Sequence, residues 1–165
     1  MADNVLLDTS AILAFICAED GADVVEKTLR AAARKNLTAY ASFITVAELF
    51  SAAMKKEGRE RAEFYLSVVK AWPVTWVQSD ESLCVSAGVL KGSHKMSIAD
   101  AFIAATAIRH NAVLIHKDPE FDALKPLVRQ HVLPYKQEGS LGIKRPASGG
   151  RRREVAGNPQ ACLQA

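Results

Sequence analysis

The sequence lacks the features of a membrane or secreted protein. No apolar run in its 165 residues approaches the roughly 20 residues that a membrane-spanning helix needs. The first ten residues, MADNVLLDTS, have no basic residue ahead of their apolar stretch, which argues against a secretory signal. The three cysteines, Cys17, Cys84 and Cys162, are too scattered to indicate a disulfide framework or a zinc site. We therefore expect a cytoplasmic protein with no membrane contact.

The chain also lacks a strong excess of charge, because its formal net charge is +3. Six basic and two acidic residues follow from Lys136 onward, which leaves 15 basic and 16 acidic residues in 1–135. Residues 136–165 are rich in Gly, Pro and Ser and have almost no apolar periodicity, so we predict a disordered basic tail. The predicted folded domain, residues 1–135, is nearly neutral.

Short apolar runs typical of buried strands alternate with helical patterns along this domain. The predicted strands are NVLL, LTAYA, PVTWVQ, AVLIH and VRQHVL. The predicted helical segments are SAILAFICA, GADVVEKTLRAAARK, FITVAELFSAAMKKEG, RERAEFYLSVVKAW, DESLCVSAGVLKG, SIADAFIAATAI and the short turn PEFDAL. Strands separated by helices indicate a parallel sheet covered on both faces. We predict one three-layer α/β/α sandwich with a mainly parallel central sheet, in which ligands bind beyond the carboxyl ends of the strands.

The helix from Ser97 to Ile108 contains a carboxylate in unusual surroundings. It is apolar on nearly every face, as expected for a buried helix, and Asp100 is its only ionisable residue before Arg109. An unpaired buried carboxylate is costly. Asp100 therefore needs a partner, a metal ion or a capping role, and Ser97 three residues earlier permits a capping box.

Three further acidic residues lie near transitions from strand to helix, and each has a capping explanation. Asp8 follows the first strand and suits a helix N-cap. Asp118 precedes a proline that opens a helical turn, which is also a common N-cap arrangement. Glu48 lies three residues after Thr45, so these two can form a capping box. Capping alone can therefore explain each residue taken separately.

Taken together, the four carboxylates indicate a metal site. The transitions that carry them meet at one edge of a parallel sheet, where like charges repel unless a cation neutralises them. Mg²⁺ and Mn²⁺ are hard ions that prefer oxygen ligands. One carboxylate oxygen can cap a helix while the other binds the ion. The candidate site residues are Asp8, Glu48, Asp100 and Asp118.

Four motifs resemble the PIN domain, and most closely the VapC-type ribonuclease toxins of bacterial toxin–antitoxin pairs. They are LLDTSAILAF, ITVAEL, MSIADAFIAATA and LIHKDPEF, in this order, and the resemblance runs from about Val5 to Leu133. It implies an α/β/α sandwich that cleaves RNA with Mg²⁺ or Mn²⁺. It also implies a homodimer that is blocked by an antitoxin protein bound over the active groove. The acidic site of the family maps onto Asp8, Glu48, Asp100 and Asp118.

The resulting hypothesis is metal-dependent hydrolysis of RNA phosphodiester bonds. Asp8 and Asp100 would bind the ion most directly, and Asp118 would complete the site through water. Glu48 would hold a second ion or orient the attacking water. Thr9 is a candidate hydrogen-bond partner for a ligand carboxylate.

One position departs from the family pattern, which commonly has Thr or Ser two residues before the last Asp. Here that residue is His116, so the hydroxyl is missing. Lys95 and Lys117 flank the two downstream motifs and are candidate phosphate contacts.

Two other functions stay open at this point. The domain can be a catalytically silent binding module whose carboxylates only cap helices. It can also be another metal-dependent phosphoesterase, although DTS lacks the second Asp two positions on that haloacid dehalogenase-type phosphatases use.

Overall fold

The computed structural model describes residues 3–135, and its five strands form one sheet. The strands are β1 (Asp3–Leu7), β2 (Leu37–Ser42), β3 (Val74–Val77), β4 (Val113–His116) and β5 (Gln130–Val132). Their order is β3-β2-β1-β4-β5, and every neighbouring pair is parallel. The predicted fold class is confirmed, and the described sheet is parallel throughout.

Helices connect consecutive strands, as the alternating pattern predicted. They are α1 (Thr9–Ile16), α2 (Ala22–Ala33), α3 (Ile44–Glu57), α4 (Arg59–Lys70), α5 (Glu81–Ser93), α6 (Ile98–Arg109) and a 3₁₀ helix (Pro119–Leu124). None of the helices within residues 3–135 has the length and apolar composition needed to cross a membrane. The predicted basic tail, residues 136–165, lies outside the described residues.

Alternate residues of the central strand β1 face two separate cores. Leu6 packs in one core with residues of α5, α6 and the 3₁₀ helix. Its neighbours Val5 and Leu7 pack in the other with residues of α1 to α4. All three are buried, because strands of a parallel sheet are covered on both faces. The sheet is therefore the middle layer of a three-layer sandwich.

Helix α6 is buried along most of its length, which agrees with its uniformly apolar sequence. Its central positions are fully or almost fully buried in the core that contains Leu6, while Ile98 and Ile108 at its two ends are exposed. Asp100 lies in its first turn and is only 7% exposed. The start of α6 therefore places a buried ionisable group, the Asp100 carboxyl, at the edge of this core.

The connection from α1 to α2 depends on a glycine. Gly21 immediately precedes α2 with a φ of +93°, a left-handed conformation that favours glycine. A Cβ at this position would lie 3.1 Å from side-chain atoms of Leu133, just after β5. The turn thus combines a backbone requirement with a close tertiary contact.

Candidate active site

The four predicted carboxylates line one cavity of about 510 Å³ at the carboxyl edge of the sheet. Asp8 directly follows β1, and Asp118 follows β4 by two residues. Glu48 lies in the second turn of α3, and Asp100 lies in the first turn of α6. The geometric expectation that these side chains come together therefore holds. Their role in catalysis stays a prediction.

Asp8 is both the N-cap of α1 and part of the cavity. It is 3% exposed, and its Oδ2 accepts hydrogen bonds from the backbone N–H of Ser10, at 3.0 Å, and from the Ser10 hydroxyl. The same hydroxyl accepts the backbone N–H of Lys117 at 2.8 Å. Ser10 thus ties the end of β1 to the segment that follows β4. This role of Ser10 could not be predicted from the sequence, because its second partner is 107 residues away.

Thr9 holds the carboxylate of Glu48. The Thr9 hydroxyl donates to Glu48 Oε2 at 2.6 Å, as expected for a residue that orients a ligand carboxylate. The capping box suggested for Thr45 and Glu48 is wrong. Helix α3 begins at Ile44, so Thr45 lies inside its first turn, and the buried Thr45 hydroxyl has no hydrogen-bond partner within the described residues.

Asp100 belongs to only half of the capping box that its spacing suggested. Ser97 is the N-cap of α6, and its hydroxyl accepts the Asp100 N–H at 3.0 Å. The reciprocal bond to the Ser97 N–H comes from Glu120 Oε2, at 2.8 Å, and not from Asp100. The Asp100 carboxylate instead accepts from the Ser97 hydroxyl at 2.5 Å. Glu120 is a second residue that sequence reasoning missed.

Asp118 caps the 3₁₀ helix, since its Oδ1 accepts the N–H of Glu120 at 2.8 Å. The preceding His116 is fully buried, and its Nδ1 accepts the Asp118 backbone N–H at 3.2 Å. This bond requires Nδ1 to be unprotonated, and the other ring nitrogen, Nε2, lies 3.1 Å from Gln130 Oε1. Burial lowers the pKa of His116, which favours the same neutral ring. A ring nitrogen thus holds the backbone of Asp118 in a chain that lacks the usual hydroxyl.

Only one of the two lysines suggested as phosphate contacts is exposed. Lys117 Nζ forms a 3.0 Å ion pair with Glu19 Oε2, and the Lys117 side chain is 8% exposed. Its assignment as a free phosphate contact is therefore wrong. Lys95 is exposed, as is Lys55, a basic residue that lines the carboxylate cavity.

Burial and mutual repulsion raise the pKa values of three of the clustered carboxyls, those of Asp8, Glu48 and Asp100. Desolvation is the main cause of the raised pKa of Asp8 and of Glu48, and the negative charge of Asp118 raises both further. Asp100 has a pKa of about 7, again mainly because of burial, although the Ser97 hydroxyl lowers it. Contact with the Glu120 carboxyl and the charges of Asp118 and Asp8 raise it further. The metal-free cavity therefore disfavours the ionised state of three of its carboxyls.

These residues fit a divalent ion by chemistry. All four are carboxylates, the oxygen donors that Mg²⁺ and Mn²⁺ prefer. A cation would relieve the repulsion that contributes to the raised pKa values of Asp8, Glu48 and Asp100. Within residues 3–135 no group of three or more His, Cys, Asp or Glu side chains is already arranged to hold one ion. An ion in this cavity would therefore keep several water ligands, as Mg²⁺ commonly does.

Comparisons with known proteins agree with this fold. A sequence profile of the PIN domain matches residues 5–126, which is most of the chain. No curated protein sequence matches it.

Several solved structures are similar, each at about one fifth sequence identity. The VapBC2 structure from Rickettsia felis, bound to a DNA fragment from its promoter, has a TM-score of 0.63 and 20% identity, covering 79% of this chain and 99% of that one. DNA-bound VapBC from Salmonella typhimurium has a TM-score of 0.61 and 19% identity, covering 80% and 98%. VapBC-5 from Mycobacterium tuberculosis, a member of the VapBC family of toxin–antitoxin systems, has a TM-score of 0.53 and 19% identity, covering 78% and 96%.

At these identities, the structural similarity concerns the fold. The profile match is independent of it and spans the elements that carry all four carboxylates. This chain belongs to the PIN-domain family.

Proposed function

We propose that this protein is a Mg²⁺- or Mn²⁺-dependent endoribonuclease and acts as the toxin of a toxin–antitoxin pair. The observation that carries the proposal is the convergence of Asp8, Glu48, Asp100 and Asp118 on one cavity. Membership of the PIN family, whose members are typically metal-dependent nucleases, supports the same conclusion.

Asp8 and Asp100 would hold the ion most directly, Asp118 would bind it through water, and Glu48 would hold a second ion or orient the attacking water. A bound divalent ion lowers the pKa of a water ligand and offsets the charge that develops on the phosphate. The exposed lysine in the cavity wall, Lys55, is a candidate contact for the RNA backbone.

The hydroxyl groups around the cavity orient the carboxylates. Ser10 donates to Asp8, Thr9 to Glu48 and Ser97 to Asp100. Each bond fixes one carboxylate oxygen and limits the rotation of the side chain. Such support reduces the reorganisation that ion binding requires.

The test is cleavage of RNA by the full chain with Mn²⁺, with Mg²⁺ and with EDTA. Asp8→Asn and Asp100→Asn keep the side-chain shape, remove a charge and should abolish cleavage. Asp23→Asn is a matched control, because Asp23 is an exposed residue that pairs with Lys27 on α2. If Asp8→Asn and Asp100→Asn cleave RNA like the wild type, the assigned roles are wrong.

The same preparation discriminates the other two functions. Absence of Mn²⁺ binding by the wild type would favour a catalytically silent module. Faster hydrolysis of a phosphomonoester than of RNA would favour another kind of phosphoesterase.

The toxin role requires a partner protein that blocks the cavity, and the relatives crystallised as VapBC complexes support this part of the proposal. The partner should be encoded beside this gene, and adding it should inhibit RNA cleavage. We also propose a homodimer, which sedimentation analysis would test. Finally, residues 1–135 are proposed as the nuclease domain, so a chain that ends at Tyr135 should still cleave RNA.

A further inference from the structure

The start of α6 differs from an ordinary capping box. In that motif the acidic residue at the third helical position turns back and accepts the backbone N–H of the N-cap residue. Asp100 occupies this position after the N-cap Ser97. However, the Ser97 N–H donates to Glu120 Oε2, which lies 23 residues later in the 3₁₀ helix.

Because Glu120 and not Asp100 accepts the Ser97 N–H, the Asp100 carboxylate makes other contacts. The Asp100 carboxylate is not needed as the acceptor of this N–H, although it contacts the Glu120 carboxyl. Its Oδ2 accepts from the Ser97 hydroxyl, and the side chain lines the cavity beside Asp8 and Asp118.

Glu120 also contacts the carboxylate of Asp118 through its main chain. Its backbone N–H donates to Asp118 Oδ1 at 2.8 Å. The side chain of Glu120 therefore fixes the start of the helix that carries Asp100, while its main chain fixes Asp118. Glu120 itself is exposed and is not among the residues that line the cavity.

We propose that Glu120 is a positioning residue. By accepting the Ser97 N–H, which Asp100 would otherwise accept, Glu120 keeps the Asp100 carboxylate directed at the metal site. The proposal rests on the function proposed above. Without this acceptor, the Ser97 N–H would lack its partner, and Asp100 is the residue with the spacing to replace it. The ordinary capping box would then form, and the site would lose a ligand.

The experiment compares three variants of the full chain by calorimetric titration with Mn²⁺ at pH 8. Glu120→Ala should bind Mn²⁺ about 10-fold or more weakly, as is typical when the support of a ligand is removed. Glu120→Gln keeps a carbonyl that can accept the Ser97 N–H and should bind nearly as tightly as the wild type. Asp122→Ala removes the same charge from the same 3₁₀ helix, where Asp122 pairs only with Lys125 among the described residues, and should also bind like the wild type.

Equal losses in Glu120→Ala and Glu120→Gln would show that charge and not the hydrogen bond matters, and would overturn the proposal. A comparable loss in Asp122→Ala, or wild-type affinity in Glu120→Ala, would also overturn it.

A metal-free crystal structure of Glu120→Ala tests the positioning even if the wild type binds no Mn²⁺. Asp100 should there accept the Ser97 N–H. If the carboxylate still lines the cavity, the positioning role is wrong, whatever the fate of the nuclease assignment. If it has turned back in a protein that binds no ion, the nuclease assignment fails and the positioning role stands.

Discussion

Replacing Asp100 with Asn should stabilise the metal-free protein at pH 8, although the same change should abolish the proposed activity. The pKa of Asp100 is about 7 in the folded protein, against 3.8 for an unperturbed Asp. The folded state therefore holds this proton more tightly than the unfolded state does. Asn resembles the protonated acid, since its carbonyl can accept the Ser97 hydroxyl and its amide can donate to the Glu120 carboxylate.

The size and sign of the effect follow from linkage. The shift of roughly 3 pKa units corresponds to at most about 4 kcal/mol in the free energy of unfolding, at about 1.4 kcal/mol per unit. The stabilisation by the proton is fully present below pH 4 and is lost as the pH rises through about 7. We expect a gain of about 2–4 kcal/mol for Asp100→Asn at pH 8, and less than half of that gain at pH 5.

Urea unfolding in EDTA at pH 5 and pH 8 measures this difference directly. Asp23→Asn provides the control, because its exposed ion pair with Lys27 should contribute little at either pH. The reasoning is refuted if Asp100→Asn is no more stable than the wild type at pH 8. It is also refuted if the gain is the same at both pH values.

Three further predictions concern the ion, a supporting hydroxyl and the backbone. Mn²⁺ affinity should rise steeply from pH 5.5 to about 7 and then level off, because protons compete with the ion for Asp100. In titrations across this range, Asp100→Asn should lose most of this rise, and an unchanged profile in that variant would show that Asp100 is not a ligand. Thr9→Val should weaken Mn²⁺ binding about 10-fold or more by removing the donor to Glu48, whereas Thr9→Ser should retain it in the same calorimetric assay. Gly21→Ala should lower the free energy of unfolding by about 1–2 kcal/mol, because the φ of Gly21 is +93°. Gly88→Ala should raise it by up to about 1 kcal/mol, because a Cβ at Gly88 in α5 would meet open space. Equal effects of the two variants in urea unfolding would contradict this prediction.

The sheet was predictable because its signal is local. The last three residues of β1, Val5 to Leu7, form a continuous apolar run that is buried, which is typical of a central parallel strand with both faces covered. The long amphipathic or apolar segments between the strands indicate helical crossovers, and these make the sheet parallel. The strand order β3-β2-β1-β4-β5 was not predicted, because it depends on tertiary packing that spacing along the chain does not encode.

The candidate site was predictable in its acidic members and not in their partners. Asp8 and Asp118 cap the helical segments that follow them, as their local sequence indicated. The capping box predicted for Thr45 and Glu48 does not form, because α3 begins at Ile44 and Thr45 is therefore not its N-cap. Glu48 instead accepts a hydrogen bond from the Thr9 hydroxyl on α1. Ser10 and Glu120 act over separations of 107 and 23 residues, where no sequence pattern connects the two groups.

Capping and metal binding are compatible in this cavity because the hydroxyl and N–H donors to each carboxylate engage a single oxygen. They contact Oδ2 in Asp8 and Asp100, Oε2 in Glu48 and Oδ1 in Asp118. Each side chain is thereby oriented mainly through one of its two oxygens. Full donor satisfaction would favour ionised carboxylates without any cation, and the raised pKa values of Asp8, Glu48 and Asp100 are the opposite result. The local caps therefore account for the orientation of these groups but leave most of their charge to be neutralised by protons or by a divalent ion.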